Sequence, residues 1–398
     1  RPAPSGRPDP ARVRRALTPE IADPHLEDLR AVVAPLQGHP VLDLGHGVST
    51  PASTLKLLTA TAALEALGPD RTFATRVVAD GRGRIVLVGG GDPFLAGKQP
   101  TEGVGRHDAS LQTLARMTAR ALAARGVHSV RLGYDTSLFT GPTVNPHWPK
   151  GYIPDDVVSP ITALWVDQGL DPNGSGRVAD PPATAAATFA SYLQKDGVRV
   201  TAVAERRARA DARELARVTS LPVADIVEQV LQYSDNEGAE VLAHQVGLEV
   251  EGDASFAGGV RGVRKTLEGL GIGLGEARIE DGSGLSRHDR LGAEMLVQVL
   301  QLAASPAHPE LRSVVTGLPV AAYDGSLTYR FEGSPGRGLV RAKTGTLTGT
   351  SALAGITTDA RGRALVFAFV SNHVKYAETL DTRAALERLT TALATCRC

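Results

Sequence analysis

Cysteine is almost missing from this chain: 398 residues hold two, Cys396 and Cys398, at the very end. Cysteines one residue apart make a strained bridge or free thiols, not a framework, so a disulfide-built scaffold is excluded and the pair reads as structurally incidental. Excess charge is missing too, with 43 basic and 43 acidic residues, and nothing advertises nucleic acid or an anionic membrane as a partner. No apolar run reaches the ~18 residues needed to cross a bilayer. The Pro- and Arg-rich start, Arg1 to Arg14, contains no stretch of signal-peptide length, which leaves a cytosolic protein or one whose leader has been removed. The ten histidines, among them His39, His46, His107, His128 and His147, show no H-E-x-x-H or paired-ligand spacing; neither a metal nor another cofactor is expected. Lysine is scarce, with only seven among the 43 basic residues. A lysine in a chemically suggestive place therefore carries unusual information.

What is present is an ordinary globular composition, 42% hydrophobic, long enough for two or three domains and a buried core. The pattern is helical from Pro24 to Val33, then gives a short hairpin of Ala31–Pro35 and Val41–Leu44 around Gly38-His39-Pro40. Pro51 just ahead of Ser53, followed by Leu57, Leu58, Ala62, Leu64 and Leu67 and closed by Gly68-Pro69, predicts a helix. Its apolar residues wrap most of the surface, so it belongs in the centre of the fold. From Asp70 to Thr219 the texture changes. Strands at Ala74–Val78, Arg84–Val88, Arg131–Tyr134 and Val198–Val203 alternate with helices at Ser110–Arg125 and Ala183–Lys195, around a proline-rich loop region from Phe139 to Asp180. That segment reads as a separate α+β module. Beyond Pro222, helices are predicted at Val223–Tyr233, Glu237–Val246, Gly259–Leu270 and Gly292–Ala303. A hairpin of Ser351–Thr358 and Arg363–Ser371 follows, with turn residues Asp359 to Gly362 at its tip, and then a last helix at Ala377–Thr395.

Three short stretches carry chemistry. Ser53-Thr54-Leu55-Lys56 puts a hydroxyl and an ammonium three positions apart at a helix start, on the same side and close enough to hydrogen-bond. A serine hydroxyl needs a neighbouring base, and a lysine serves if burial and a second cation keep it neutral part of the time. The free N–H groups of the helix start can stabilise an oxyanion. Ser234-Asp235-Asn236 offers a hydroxyl and an amide from one turn, or else Ser234 or Asn236 simply caps the Glu237 helix, with Glu237 completing a capping box. Lys343-Thr344-Gly345-Thr346 lies in a strand-like stretch just before the long hairpin. That position puts it in the same antiparallel sheet, at an edge where an extended peptide can pair. Its ammonium and hydroxyls can hold a carboxylate, and Gly345 keeps the strand slim for close approach. The chance of all three patterns occurring together is roughly four in a thousand before order is demanded. Two of the seven lysines fall in them.

The order S-x-x-K, S-x-N, K-T-G resembles that of the active-site-serine penicillin-recognising enzymes. With Pro51-Ala52-Ser53-Thr54-Leu55-Lys56, Gly89-Gly90-Gly91-Asp92-Pro93, Asp281-Gly282-Ser283-Gly284-Leu285-Ser286 and Ala342-Lys343-Thr344-Gly345-Thr346-Leu347, the chain is similar to the D-alanyl-D-alanine carboxypeptidase/endopeptidases of the low-molecular-mass class C penicillin-binding proteins. The resemblance runs from about Val32 to Asn372. It implies an α+β transpeptidase fold of the penicillin-binding and serine β-lactamase kind, an antiparallel sheet flanked by helices with a helical lobe. Residues 1–69 and 220–398 would form the catalytic domain, and 70–219 an inserted α+β module. Only 181 positions separate Ser53 from Ser234, where such proteins usually carry a longer insertion, so an extra subdomain would be reduced in size.

The resemblance also implies roles. Ser53 would be acylated by the penultimate D-Ala carbonyl of a peptidoglycan stem peptide, with Lys56 as base, and Ser234 would relay a proton to the leaving nitrogen. Asn236 would position the acyl chain, Lys343 would supply positive field, and Thr344 and Thr346 would hold the terminal carboxylate. The N–H groups of Ser53 and Thr346, flanking Gly345, would form the oxyanion hole. β-Lactams would acylate Ser53 covalently, and the substrate would place the protein outside the cytoplasmic membrane. Gly89 to Pro93 lacks the frame of a phosphate loop and reads as a tight turn; Asp281 to Gly284 reads as a supporting loop against the cleft floor. The rivals are a serine β-lactamase and a non-catalytic wall-binding protein. Against the first, none of Asn145, Asn173, Asn236 and Asn372 has a glutamate four residues before it, as a class A water-positioning loop would require. Against the second, Ser53 and Lys56 are both intact.

Overall fold

A computed structural model describes residues 6–99, 109–172, 174 and 176–398; His107 and Asn173 lie outside them. Along the chain run α1 (Pro10–Ile21), β1 (Leu29–Pro35), β2 (Leu42–Leu44), β3 (Val48–Ser49), α2 (Lys56–Leu67), β4 (Ala74–Ala79), β5 (Arg84–Val88), α3 (Leu111–Ala123), β6 (Ser129–Asp135), α4 (Pro181–Lys195), β7 (Arg199–Glu205) and β8 (Arg213–Thr219). The remainder comprises α5 (Val223–Tyr233), α6 (Asn236–Glu251), α7 (Phe256–Gly269), β9 (Leu291–Gly292), α8 (Ala293–Ala303), α9 (Arg312–Thr316), β10 (Val340–Leu347), β11 (Thr350–Thr358), β12 (Ala364–Asn372) and α10 (Thr379–Thr395).

The main sheet is antiparallel, in the order β10-β11-β12-β1-β2. Its strands read as nearly continuous apolar runs because both faces are covered. In β12, Val366, Ala368 and Val370 enter one core with α2 and α8, while Leu365, Phe367 and Phe369 enter a second core with α1 and α10. Alternate residues of β1 divide the same way, Val32 and Ala34 against Ala31 and Val33. This period-two division is why the helix expected over Pro24–Val33 does not form: the segment's short apolar run fits either period, and two flanking cores select the strand. The helix lies instead at Pro10–Ile21, beginning inside the stretch that composition marked only as Pro- and Arg-rich. Asp9 caps it by accepting from the Ala11 N–H at 2.9 Å, Pro10 opens it, and Val13 and Leu17 bury one face.

Helix α2 is the centre of the molecule. Every residue from Lys56 to Leu64 is buried, because α5, α6, α7 and α8 pack around the helix and α8 in turn lies on the sheet. A second sheet, β7-β6-β5-β4-β8, is mixed in direction, with β5, β6 and β7 parallel and β4 antiparallel to both its neighbours. Helices α3 and α4 cover one face of it. The strand β8, absent from the sequence-based prediction, closes its edge.

The terminal cysteines are joined by a disulfide. They are not incidental: both are buried in the second core, the Cys398 carbonyl accepts from the Asp9 N–H at 3.0 Å, and the Cys396 carbonyl accepts from Ala360 at 2.9 Å. The tail thus ties α1 to the tip of the β11–β12 hairpin. Gly89 to Gly91 form a close-packed irregular stretch ahead of a turn at Pro93–Phe94, and a Cβ on them would meet the Ala163, Ala74 and Gln245 atoms at 2.4, 2.1 and 2.4 Å.

Candidate active site

Ser53 sits in a 3-10 turn, Ala52–Leu55, that runs directly into α2. Ala52 ahead of it is left-handed, with φ of 47°, a conformation that costs energy for a residue with a Cβ and persists only where packing enforces it. Here the enforcement comes from Gly284: its own φ is +80°, and a Cβ there would lie 2.0 Å from the Ala52 carbonyl oxygen. One turn on, Lys56 is fully buried and donates to Ser53 Oγ at 3.0 Å, Asn236 Oδ1 at 2.8 Å and the Ser283 carbonyl at 2.7 Å. An ammonium has three protons to give, and all three have acceptors. Burial pulls its pKa down from 10.5 to about 8, against the opposing pull of Asp281, Glu240, Asp235 and Glu237. When one proton leaves, two N–H bonds suffice to hold the amine against Asn236 and Ser283, and the lone pair faces the Ser53 hydroxyl.

Ser234 and Asn236 flank the junction of α5 and α6. Neither caps α6; Asp235 does, accepting from the Gly238 N–H at 2.6 Å. The expected capping box is therefore absent, since the polar side chains on either side are turned elsewhere. Ser234 ends α5 in the left-handed conformation, φ 60°, and its hydroxyl accepts from Lys343 Nζ at 2.8 Å. Asn236 donates to the Val157 carbonyl at 3.0 Å, which fixes its oxygen toward Lys56. Among the described residues, Lys56 thus joins the first motif to the second and Lys343 joins the second to the third.

Lys343 lies on β10, the edge strand. It is also fully buried and gives a further bond to the Thr344 carbonyl at 2.8 Å. Burial lowers its pKa well below the usual lysine value, and the charge of Lys56 lowers it further. The edge is closed as far as Ala342: the Ala342 N–H meets the Pro319 carbonyl at 3.0 Å, the Val340 carbonyl meets the Ala321 N–H at 2.9 Å, and Val320 bridges Arg341. Beyond it the period of two turns the backbone groups of Thr344 and Thr346 outward to the open edge. The slimness of Gly345 serves the neighbouring turn, for a Cβ there would come within 2.8 Å of the Pro51 carbonyl oxygen. Side chains at 344 and 346 lie on the opposite face from Lys343. Thr344 donates to Ser326 Oγ at 3.0 Å, and Thr346 Oγ1 accepts from Arg383 at 3.1 Å.

The supporting shell was only partly visible in the sequence. The Asp281–Gly284 loop, predicted as a support, is that: the Ser283 carbonyl receives Lys56, and the Gly282 carbonyl receives the Thr59 hydroxyl at 2.7 Å. The loop is held by Glu240, which accepts from the Ser283 N–H at 2.8 Å, and by Asp281, which accepts from Trp148 Nε1 at 2.7 Å. Burial beside Asp281 pushes the Glu240 pKa up to about 8. Glu240 stands four residues after Asn236 on a helix otherwise buried along that face, and this spacing is the signal that could have found it. Gln168 donates to both oxygens of Asp235 at 2.9 and 2.8 Å, and Arg177 meets Glu237 at 3.0 Å. Both come from the proline-rich region, which carries no motif.

Comparison with known proteins bears on this site. A model of the D-Ala-D-Ala carboxypeptidase 3 (S13) family matches residues 13–174 and 171–393. The chain is 36% identical to a carboxypeptidase of Mycobacterium tuberculosis, over 98% of this chain and 85% of the relative. It is 35% identical to carboxypeptidase DacB of Mycolicibacterium smegmatis, over 87% and 76%. In fold it is similar to penicillin binding protein 4 of Haemophilus influenzae, with a TM-score of 0.80 at 23% identity across 97% of this chain and 98% of that one.

Proposed function

The chain belongs to the D-Ala-D-Ala carboxypeptidase 3 (S13) family, and from that premise we propose that it is a serine DD-peptidase working through an acyl-enzyme on Ser53. The substrate is the D-Ala-D-Ala end, or a D-Ala crosslink, of a peptidoglycan stem peptide. Ser53 Oγ attacks the penultimate D-Ala carbonyl while its proton passes to neutral Lys56. The N–H groups of Ser53 and Thr346 receive the developing oxyanion. The proton then moves by way of Lys56 and Ser234 to the leaving nitrogen, which departs as an amine, and water later cleaves the ester. Asn236 positions the acyl chain, the Lys343 ammonium adds positive field, and the Thr344 and Thr346 hydroxyls hold the terminal carboxylate beside Gly345.

The observation that carries this reading is the fully buried Lys56, whose single nitrogen bonds both Ser53 and Asn236 with a pKa brought near neutrality. A β-lactam presents the same acyl-D-Ala-D-Ala shape and is a covalent inhibitor on this reading. The substrate's place is outside the cytoplasmic membrane; among the described residues, no helix is long and apolar enough to cross one. We assign residues 1–69 and 220–398 to the catalytic domain and 70–219 to an inserted module. The assignment is supported by the second sheet and its core, whose strands all fall between Ala74 and Thr219.

A fluorescent penicillin tests the centre of the proposal. It is expected to label the protein and not Ser53→Ala, and purified protein is expected to release D-Ala from a diacyl-D-Ala-D-Ala peptide. Labelling that survives Ser53→Ala removes the assignment. Intact-mass spectra of the penicillin adduct are expected to persist for hours; rapid turnover would favour the β-lactamase reading.

A further inference from the structure

The second sheet has helices on one face only. Along β4 the period of two sends Val77 into the core beneath α3 and α4, and turns Ala74, Arg76 and Val78 to the other face. There they line a groove of about 610 Å³. Its far wall is α6, where Gln245 donates to the Gly90 carbonyl at 2.9 Å. Val78 and Val88 make part of the floor apolar, while the rim is cationic: Arg71, Arg76, Arg207, Arg209 and Arg217 line it against one carboxylate, Asp135. Two of the five arginines are already matched. Arg209 bonds both oxygens of Asp211, at 3.0 and 2.7 Å, and Arg217 bonds both of Glu214, each at 2.7 Å. Asp135 is spent on the backbone, accepting from the Ser137 N–H at 2.9 Å and the Ala208 N–H at 2.7 Å. Among the described residues, no side chain hydrogen-bonds or forms an ion pair with Arg71, Arg76 or Arg207. The charge of Arg76 reaches Glu214, but both oxygens of that carboxylate are on Arg217. Register sharpens the imbalance, because Arg76 stands directly opposite Arg217 across the β4–β8 pair, where like charges repel. In a chain of zero net charge, three arginines share one concavity with no anion of the protein's own left to meet them. That arrangement is a site for an anion from outside.

We propose that this groove is a second binding site for the wall polymer, holding the carboxylates of a stem peptide other than the one undergoing cleavage. The groove's own pairs show which acid it takes. Both matched arginines meet a carboxylate with two bonds, and a planar guanidinium offers the unmatched three the same geometry. The floor at Val78 and Val88 suits small apolar side chains such as the methyl of alanine. None of the motif residues Ser53, Lys56, Ser234 or Lys343 lines the groove. It stands apart from them, since Gln245 follows Asn236 by nine residues on α6, about 14 Å along the helix axis. A polymer that carries many stem peptides can be held by one while another enters the Ser53 cleft, and the first contact raises the effective concentration for the second. A single short peptide gains nothing from the groove.

The inference rests on the DD-peptidase reading above, and the test separates the two. A triple variant of the full chain, Arg71→Gln, Arg76→Gln and Arg207→Gln, removes three exposed charges and no bond found among the described residues. It is compared with wild type in D-Ala release from a soluble diacyl-D-Ala-D-Ala peptide, and in binding to and D-Ala release from purified peptidoglycan stripped of phosphate polymers by hydrofluoric acid. On the soluble peptide it should stay within about 2-fold of wild type, and on peptidoglycan it should lose about 10-fold in both affinity and release. Wild-type binding should weaken as salt is raised, and the variant's much less. Should the triple variant melt, Arg76→Gln and Arg207→Gln alone should each lose about 2- to 3-fold in affinity for peptidoglycan. The proposal is overturned if the triple variant holds and processes peptidoglycan as wild type does, or if it loses as much on the soluble peptide. It is also overturned if wild type binds only peptidoglycan that keeps its phosphate polymers, which would make a phosphodiester the occupant. A wild type that neither releases D-Ala nor takes up penicillin at Ser53 would end the parent reading, whereas binding to stripped peptidoglycan that depends on the three arginines would uphold this one.

Discussion

The two faces of β10 differ in what they do with charge. On the inner face, Lys343 and Gly345 are buried against Ser234 and the Ser53 turn. Each amine there is hydrogen-bonded, with burial driving its pKa down. On the outer face, Thr344 and Thr346 are partly exposed, and the guanidinium of Arg383, which stays charged, donates to Thr346. A lysine can lose a proton when desolvated and so can act as a base, whereas an arginine remains a cation. On the proposed roles the strand separates bond-making from recognition, with proton transfer on the Lys343 side and carboxylate binding on the Thr344 and Thr346 side.

Lys56→Ala should break the inner face most severely. Acylation by a reporter penicillin is expected to fall about 10²- to 10⁴-fold with the fold intact by thermal melting, the range typical of a lost general base. Near wild-type acylation would end the base assignment. Lys343→Ala comes next, at about 10²-fold in acylation rate, because Ser234 loses its only described cation and the cleft its second positive charge. Thr346→Val should cost about 10-fold in kcat/KM on a D-Ala-D-Ala peptide, and far less on its carboxamide. Equal losses on both peptides would mean that the outer face does not discriminate as argued.

The smallest effect is in pH. With neutral Lys56 as the proposed base, acylation should rise with pH through a midpoint near 8 and level off above it. Glu240, itself only partly ionised near pH 8, favours protonated Lys56 through its charged fraction, so Glu240→Gln should move the midpoint down, by roughly half a unit or less. An upward movement, or a profile that falls with pH, contradicts the proton assignment.

The candidate site residues were legible because each motif packs its chemistry into three or four consecutive residues. The central helix was legible for the same local reason, its apolar residues leaving no solvent face. Arg383 was not. It stands 37 residues from Thr346, on α10, among other surface charges, and its contact exists only once α10 lies across the outer face of the sheet. The strand expected at Ala31–Pro35 forms, as Leu29–Pro35, but the helix read over Pro24–Val33 was wrong because a short apolar run carries no period of its own. The disulfide's place in the core was hidden likewise: spacing tells what bridge two cysteines can make, but not what their tail will lie against.

The stub of chain at Pro319–Ala321 acts as a doorstop. With the edge of β10 occupied up to Ala342, a guest strand has only the five residues from Lys343 to Leu347 to pair with, at about 3.3 Å each. The proposed stem peptide is short enough for that berth, while a longer strand would meet the stub at Ala342. The same stop denies neighbouring molecules a full-length template, and so lets the protein keep a raw sheet edge in working order without inviting edge-to-edge stacking.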